Sequence, residues 1–375
     1  MNSHYFARHL PCRSLALSTL ALASLLMAAQ AGAAETCTWN GNISSKLSQP
    51  ANWTCTGAIT VPGTGDSIVF PAGANTTALN NDFMPIVPVF YDVTFAPGYY
   101  LDGDDLNLSH LLTIANGFMN APAISGGNSA SVQVKGVPNG QVTWFKGSLN
   151  SMQSITVGDG TAAVNAVLNA TTGSPSVTVA AQGQLSMGTG ATASTLDVQA
   201  GGTLVLSKPL PGAANGDLIG SGTVSGATTF AAGATLEYHA LTSFDPGKLT
   251  AQNGLNLNGA TLRIVVEDPA NPDAINLQRT LVGYGDASYL QGRFAGLPSS
   301  GALVQASNAP GVWYSISYGS ASNAFVQITR VAAPVVPPGG PGGTAAIPVL
   351  APVGLGLLSA LVGGVGLVRR RKRRD

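Results

Sequence analysis

The sequence predicts an all-β fold: a parallel β-helix, or β-solenoid, body with a signal-peptide helix at the N-terminus and a single transmembrane helix at the C-terminus. Three observations carry this prediction. Between Glu35 and Val331, β-branched residues recur in short alternating runs and long helical patterns are missing; alternation at period two marks half-buried strands. One frame repeats with Leu six positions after its start: Val179-Ala-Ala-Gln-Gly183-Gln-Leu185, Val198-Gln-Ala-Gly-Gly202-Thr-Leu204 and Phe230-Ala-Ala-Gly-Ala234-Thr-Leu236. Uncharged apolar stretches stand at residues 15–27 and 347–368, near the two ends of the chain.

Residues 1–33 read as a secretory signal peptide. Arg8 and Arg13 give the positive leader, Leu15 to Met27 the apolar core, and Ala29-Gln30-Ala31 and Ala31-Gly32-Ala33 two small-x-small cleavage patterns. Cys12 precedes the apolar core, which argues against a lipoprotein site. The core is too short for a good spanning helix.

Residues 34–75 form an N-terminal cap. In an oxidising compartment Cys37 and Cys55 are expected to pair, a link worth about 3 kcal/mol in the chain-entropy account. A metal site there is the weaker reading, because no His lies nearby to complete a ligand set. Trp39 and Trp53 suit the core of a cap over the first coil, with sugar binding by exposed indoles as the alternative.

Residues 76–331 are the body. Val87 to Phe95, Leu106 to Ile114 and Val132 to Val137 read as strands or coil edges. Asp102-Gly103-Asp104-Asp105 is the densest acidic cluster; its spacing matches no EF-hand loop or glycine-rich nonapeptide, so a turn is favoured over a Ca²⁺ site. The repeated frames start 19 and then 32 residues apart, the second interval suggesting a rung with an insertion, and Leu255-Asn-Leu-Asn-Gly259-Ala-Thr-Leu262 is a looser fourth copy. Strand, tight turn and strand at such intervals describe stacked solenoid coils. In the closing stretch Trp313-Tyr-Ser-Ile316-Ser-Tyr318 and Ala324-Phe-Val326-Gln-Ile328 alternate as strands that seal the last coil, or else line a groove. Residues 332–346 are a Pro/Gly linker.

Residues 347–375 hold the motif Ile347-Pro348-Val349-Leu350, an uncharged run to Val368, and the basic cluster Arg369, Arg370, Arg371, Lys372, Arg373 and Arg374. As a helix, 347–368 would be about 33 Å long, enough for about 30 Å of hydrocarbon. The cations hold its C-terminal end in the cytoplasm. Setting both ends aside, residues 34–346 carry nine Lys/Arg against sixteen Asp/Glu, a net charge of about −7. Nucleic acid is a poor partner for such a surface.

Catalytic signatures do not emerge. There is no Gly-x-Ser-x-Gly elbow, and no phosphate-cradling loop between a strand and a helix. His110 and His239 are far apart without metal-binding spacing, and Asp159, Asp197, Asp217 and Glu237 are scattered near turns. The expectation is a non-enzyme without cofactor or metal.

Two resemblances add to this. The segments Trp39-Asn40-Gly41, Pro50-Ala51-Asn52-Trp53 and Pro62-Gly63-Thr64-Gly65-Asp66, with Gly292-Arg-Phe294-Ala-Gly-Leu297-Pro298 and the closing aromatic strands, resemble the opening and end of exported autotransporter-like passenger proteins. The tail resembles the IPTL-CTERM sorting domain, related to PEP-CTERM signals read by exosortases in Gram-negative bacteria. Ile347, Pro348 and Leu350 match; Val349 replaces the usual Thr, and Ala351-Pro352-Val353 stands where Ser-Glu-Trp is common. The resemblance implies export through the general secretion machinery and signal peptidase, then a single-pass stay in the inner membrane, N-terminus out. Processing by an exosortase-type enzyme would follow, with a role at the cell surface or in the biofilm matrix, in adhesion or with extracellular polysaccharide. A β-helix carbohydrate-active enzyme and a plain membrane-anchored periplasmic protein are the alternatives.

Overall fold

The alternating runs become strands that stack in parallel, rung upon rung. The computed structural model describes residues 34–83, 87–115, 117–119, 123–136, 142–209, 218–219, 221–241, 247–319 and 324–334. The expected signal peptide and the whole tail from Ile347, with its sorting motif, helix and basic cluster, lie outside them. The chain divides into two units at Ala332 and Ala333, and the second is almost entirely beyond the described residues. Helical structure among the described residues is limited to two single 3₁₀ turns, Pro50–Asn52 and Ala287–Tyr289. None of it is long and apolar enough to cross a membrane.

Three parallel ladders make the walls. The first runs from Thr36–Trp39 through Ser67–Phe70, Val89–Phe95, Leu106–Ile114, Ser131–Val134, Ser154–Val157, Ser176–Val179, Thr195–Val198, Thr228–Phe230 and Leu255–Asn256 to Leu290–Gln291. The second includes Val142–Asn150, Val164–Thr172, Gly183–Gly190, Thr203–Leu206, Thr235–Ala240 and Thr261–Val266. The third is shorter: Thr192–Ala193, Thr223–Val224, Leu249–Ala251 and Gln278–Tyr284. Successive side chains in a strand point to opposite faces, so each ladder sends one set of columns inward. Ile68, Val93, Leu112, Val132, Ile155, Val177 and Leu196 form one such column, and Phe70, Phe95, Ile114, Val134, Val157, Val179, Val198 and Phe230 the next. All are buried in a single continuous core, each contributing roughly 1.5–3 kcal/mol.

The repeated frame falls in register. Val179 pairs with Val198 and Val198 with Phe230, while Leu185, Leu204, Leu236 and Leu262 stack in the second ladder. Between them sits a corner whose first carbonyl accepts from the amide three residues on, at Ala180–Gly183, Gln199–Gly202, Ala231–Ala234 and Leu257–Ala260, over 3.0, 2.9, 3.0 and 2.7 Å. Its third residue has positive φ each time: Gln182 63°, Gly201 78°, Gly233 83° and Gly259 72°. That conformation suits glycine. In the fourth copy Leu255 pairs with Thr228, two residues ahead of Phe230, which accounts for its looser spacing. The 32-residue interval contains an excursion on the antiparallel pair Lys208–Pro209 and Leu218–Ile219.

Both ends are closed. At the start, Cys37 and Cys55 face each other across an antiparallel pair and form the expected disulfide. Trp39 and Trp53 pack edge to face at 5.0 Å over Phe70, and Phe70 stacks on Phe95 at 4.5 Å. The indole N–H groups donate to the carbonyls of Thr76 and Leu47. Both tryptophans are buried, so they are cap core. At the far end Gln278–Tyr284 turns the third ladder antiparallel, adding Phe325–Val331, Trp313–Tyr318 and Leu303–Gln305. Tyr314, Ile316 and Tyr318 form the buried face, as the alternation predicts. The end is a hairpin and not a further coil, because an antiparallel return can cover an exposed edge.

Candidate functional site

On the strand Thr235–Ala240, Leu236 and Tyr238 point inward beside Leu204 and Leu206. Alternation therefore turns Glu237 and His239 outward, yet both are buried. His239 Nε2 lies 2.7 Å from Glu237 Oε1, and Nδ1 bonds Glu267 Oε1. The register sets Arg263 beside Glu237, with its Nη1 3.2 Å from Oε2. A general base needs a free nitrogen within reach of substrate; here both ring nitrogens are held by carboxylates. The arrangement is a hydrogen-bonded ion cluster pinning neighbouring rungs. Among the described residues, no group of three His, Cys, Asp or Glu has the arrangement of a metal site.

His110 sits differently. A register shift between Phe90 and Asp92, opposite Leu108 and Leu111, puts extra residues on the outer face of the first ladder. The His110 ring stacks on Tyr91 at 4.6 Å and 11°. Asp92 Oδ1 accepts from His110 Nδ1 at 2.6 Å and from the Leu111 amide at 3.1 Å. The carboxylate thereby fixes the proton on Nδ1 and leaves Nε2 outward. No hydroxyl of the described residues bonds to Nε2, so this is an exposed aromatic pair held by a carboxylate and not a nucleophile–base pair. Tyr91 is 44% exposed.

The other acidic residues have local roles. Asp105 Oδ1 accepts from the Ala123 amide, Asp102 Oδ1 from the Gly103 amide, and Asn81 Nδ2 donates to the carbonyls of Asp104 and Asp105. The cluster is a turn between Tyr99–Gly103 and Leu106–Ile114, with Gly103 at φ 99°. Hydrogen bonds from Thr161 hold the Asp159 carboxyl below its usual range. Asp197 lies on the outer face of the first ladder, and Asp217 lies outside the described residues. Among the described residues, open grooves include one of about 310 Å³ along Lys248, Thr250, Gln252, Tyr284 and Gln327 and one of about 380 Å³ along Ser45, Asn80, Tyr100 and Asp102.

Comparison with protein families, with characterised proteins and with solved structures finds no match. The site has to be read from its own geometry. What separates the walls is their cover. On the outside of the second ladder Val167, Ser186, Val205 and Glu237 are buried; on the outside of the first, from Ser131 to Asn256, no outward side chain is. That uncovered wall, with Tyr91 and His110 at one end, is the candidate surface. Sequence reading missed Tyr91, Asp92, Arg263 and Glu267. The register of Leu236 with Leu262 would have placed Arg263 beside Glu237; nothing in the sequence marks the shift at Tyr91.

Proposed function

We propose that the chain is an exported structural or adhesion protein of a Gram-negative cell surface or extracellular matrix, acting through a long wall and not through a catalytic pocket. The observation that carries the reading is the uncovered, weakly charged outer face of the first ladder. Many weak contacts along such a solenoid suit a scaffold, whereas small-molecule sites are concave and mostly apolar. In this reading the signal peptide directs secretion and is removed by signal peptidase. The apolar helix of the tail holds the chain in the inner membrane. An exosortase-type enzyme then acts near Ile347 and Pro348, so that the −7 body is freed or attached at the surface.

Intact-mass measurement of the mature protein tests this. A mature chain lacking both ends, found in the envelope or matrix fraction, supports it. A mature chain that keeps residues 347–375 refutes processing and makes the protein a plain membrane-anchored periplasmic one. Deleting 347–375 should send the body to the medium or trap it in the periplasm.

A further inference from the structure

The outward columns of the first ladder have a regular chemistry. In one, register aligns Ser131, Ser154, Ser176 and Thr195. In the next it aligns Thr94, Thr113, Gln133, Thr156, Thr178, Asp197, Thr229 and Asn256. Rungs are about 4.8 Å apart and the two columns about 6.6 Å apart; Thr113 is buried, so the open run of the longer column, from Gln133 to Asn256, spans about 24 Å. Ser154 Oγ donates to Ser131 Oγ at 2.8 Å. The Thr156 and Thr178 hydroxyls make no hydrogen bond to described residues, and so face outward with donor and acceptor capacity. From Gln133 to Asn256 the longer column carries a single charge, that of Asp197. At the N-terminal end of the wall stands the Tyr91 and His110 stack.

We infer that this wall binds a neutral, linear, ribbon-like polysaccharide of the 1,4-diequatorial type, lying flat across the rungs. Four features choose that partner. Periodic hydroxyl and amide groups match a polymer that presents hydroxyls at regular intervals. The aromatic ring offers an apolar platform for a sugar face, which side-chain hydroxyls alone do not. The two columns hold no Lys or Arg, and Lys135, just past the Gln133 strand, is the lone cation at their edge among the described residues, so an anionic polymer or nucleic acid finds little counter-charge. Large apolar side chains of the kind that anchor a protein interface are confined to the wall's N-terminal end, at Val89 and Tyr91. The inference rests on the exported-scaffold reading for its setting and names its partner.

Co-sedimentation of the purified full-length chain with microcrystalline cellulose and with insoluble chitin tests it, with soluble alginate as an anionic competitor. The expected result is saturable binding that alginate does not displace. Tyr91→Ala should weaken binding about tenfold, and the near-isosteric pair Thr156→Val with Thr178→Val at least about fivefold. Thr203→Val, on the second ladder, should leave it unchanged. Binding that all these variants retain would overturn the assignment to this wall, and preference for alginate would overturn the neutral polymer. Wall variants that change oligomeric state instead would assign the wall to a second copy of the chain. Absence of any binding sinks this inference while leaving the tail-processing measurement to judge the scaffold reading separately.

Discussion

The corner at Gly183 gives a direct test of how tightly the rungs are stacked. A Cβ added there would stand 2.2 Å from the Val157 carbonyl oxygen and 2.8 Å from its carbon. That same oxygen accepts the Ala180 amide at 2.9 Å. The neighbour is backbone, and moving it by the needed ångström loosens a ladder bond. Overpacking costs about 1–3 kcal/mol and a weakened hydrogen bond about 1 kcal/mol, so Gly183→Ala should destabilise by about 3 kcal/mol. At about 2 °C per kcal/mol for a chain of this size, the melting temperature should fall by about 6 °C. Urea denaturation followed by circular dichroism and tryptophan fluorescence, with calorimetry, reads the change. The equivalent corner position two rungs on is already Ala234, whose replacement by Gly should cost only about 0.5–1 kcal/mol. A compatible Gly→Ala stabilises by about 0.4–1 kcal/mol. Should Gly183→Ala raise the melting temperature, the stacking argument is wrong.

Four further outcomes are expected. Gln182→Gly, at φ 63° beside Gly201 and Gly233, should stabilise by about 1 kcal/mol in the same denaturation assay. Cys37→Ser with Cys55→Ser should lose about 3 kcal/mol, with the loss seen equally on reducing the wild-type chain. Glu237→Gln removes the carboxylate from both His239 and Arg263 and should cost about 2 kcal/mol, whereas Arg263→Met, more than half exposed, should stay within about 1 kcal/mol. Burial pushes the Tyr99 hydroxyl up to about 12 from its ordinary 10.0, while it donates to the Pro71 carbonyl. Its contribution is therefore whole below pH 10 and is lost as pH rises toward 12. Tyr99→Phe should weaken the fold at neutral pH and flatten the decline of stability between pH 10 and 12, as measured by urea midpoints across that range.

The body was legible where a residue type had one physical use. Leu185, Leu204 and Leu236 stack because inward positions must be apolar, and Gly201 and Gly233 mark corners because left-handed backbone suits them. The 13-residue difference between the two intervals of the frame, 19 and 32, showed that something was inserted, although its hairpin form was not implied. Trp39 and Trp53 read as cap core because two indoles beside a disulfide cover an end well. The site was harder. Glu237 and His239 are an obvious outward pair on one strand, but their burial depends on what covers that wall. Asp92 meets His110 through a register shift, a matter of pairing that neither strand shows alone. The outer Ser and Thr columns were present in each strand, yet they acquire meaning only when the rungs are laid in register.

Closure at both ends has an evolutionary consequence. Because the disulfide cap and the terminal hairpin each finish one edge, the rungs between them form a stack whose number is not fixed by either terminus. A duplicated corner-and-strand unit would add about 4.8 Å of height and two more places on the hydroxyl wall, leaving both closures intact. Reach and valency are thus heritable together, set by how many times one short coding segment is copied.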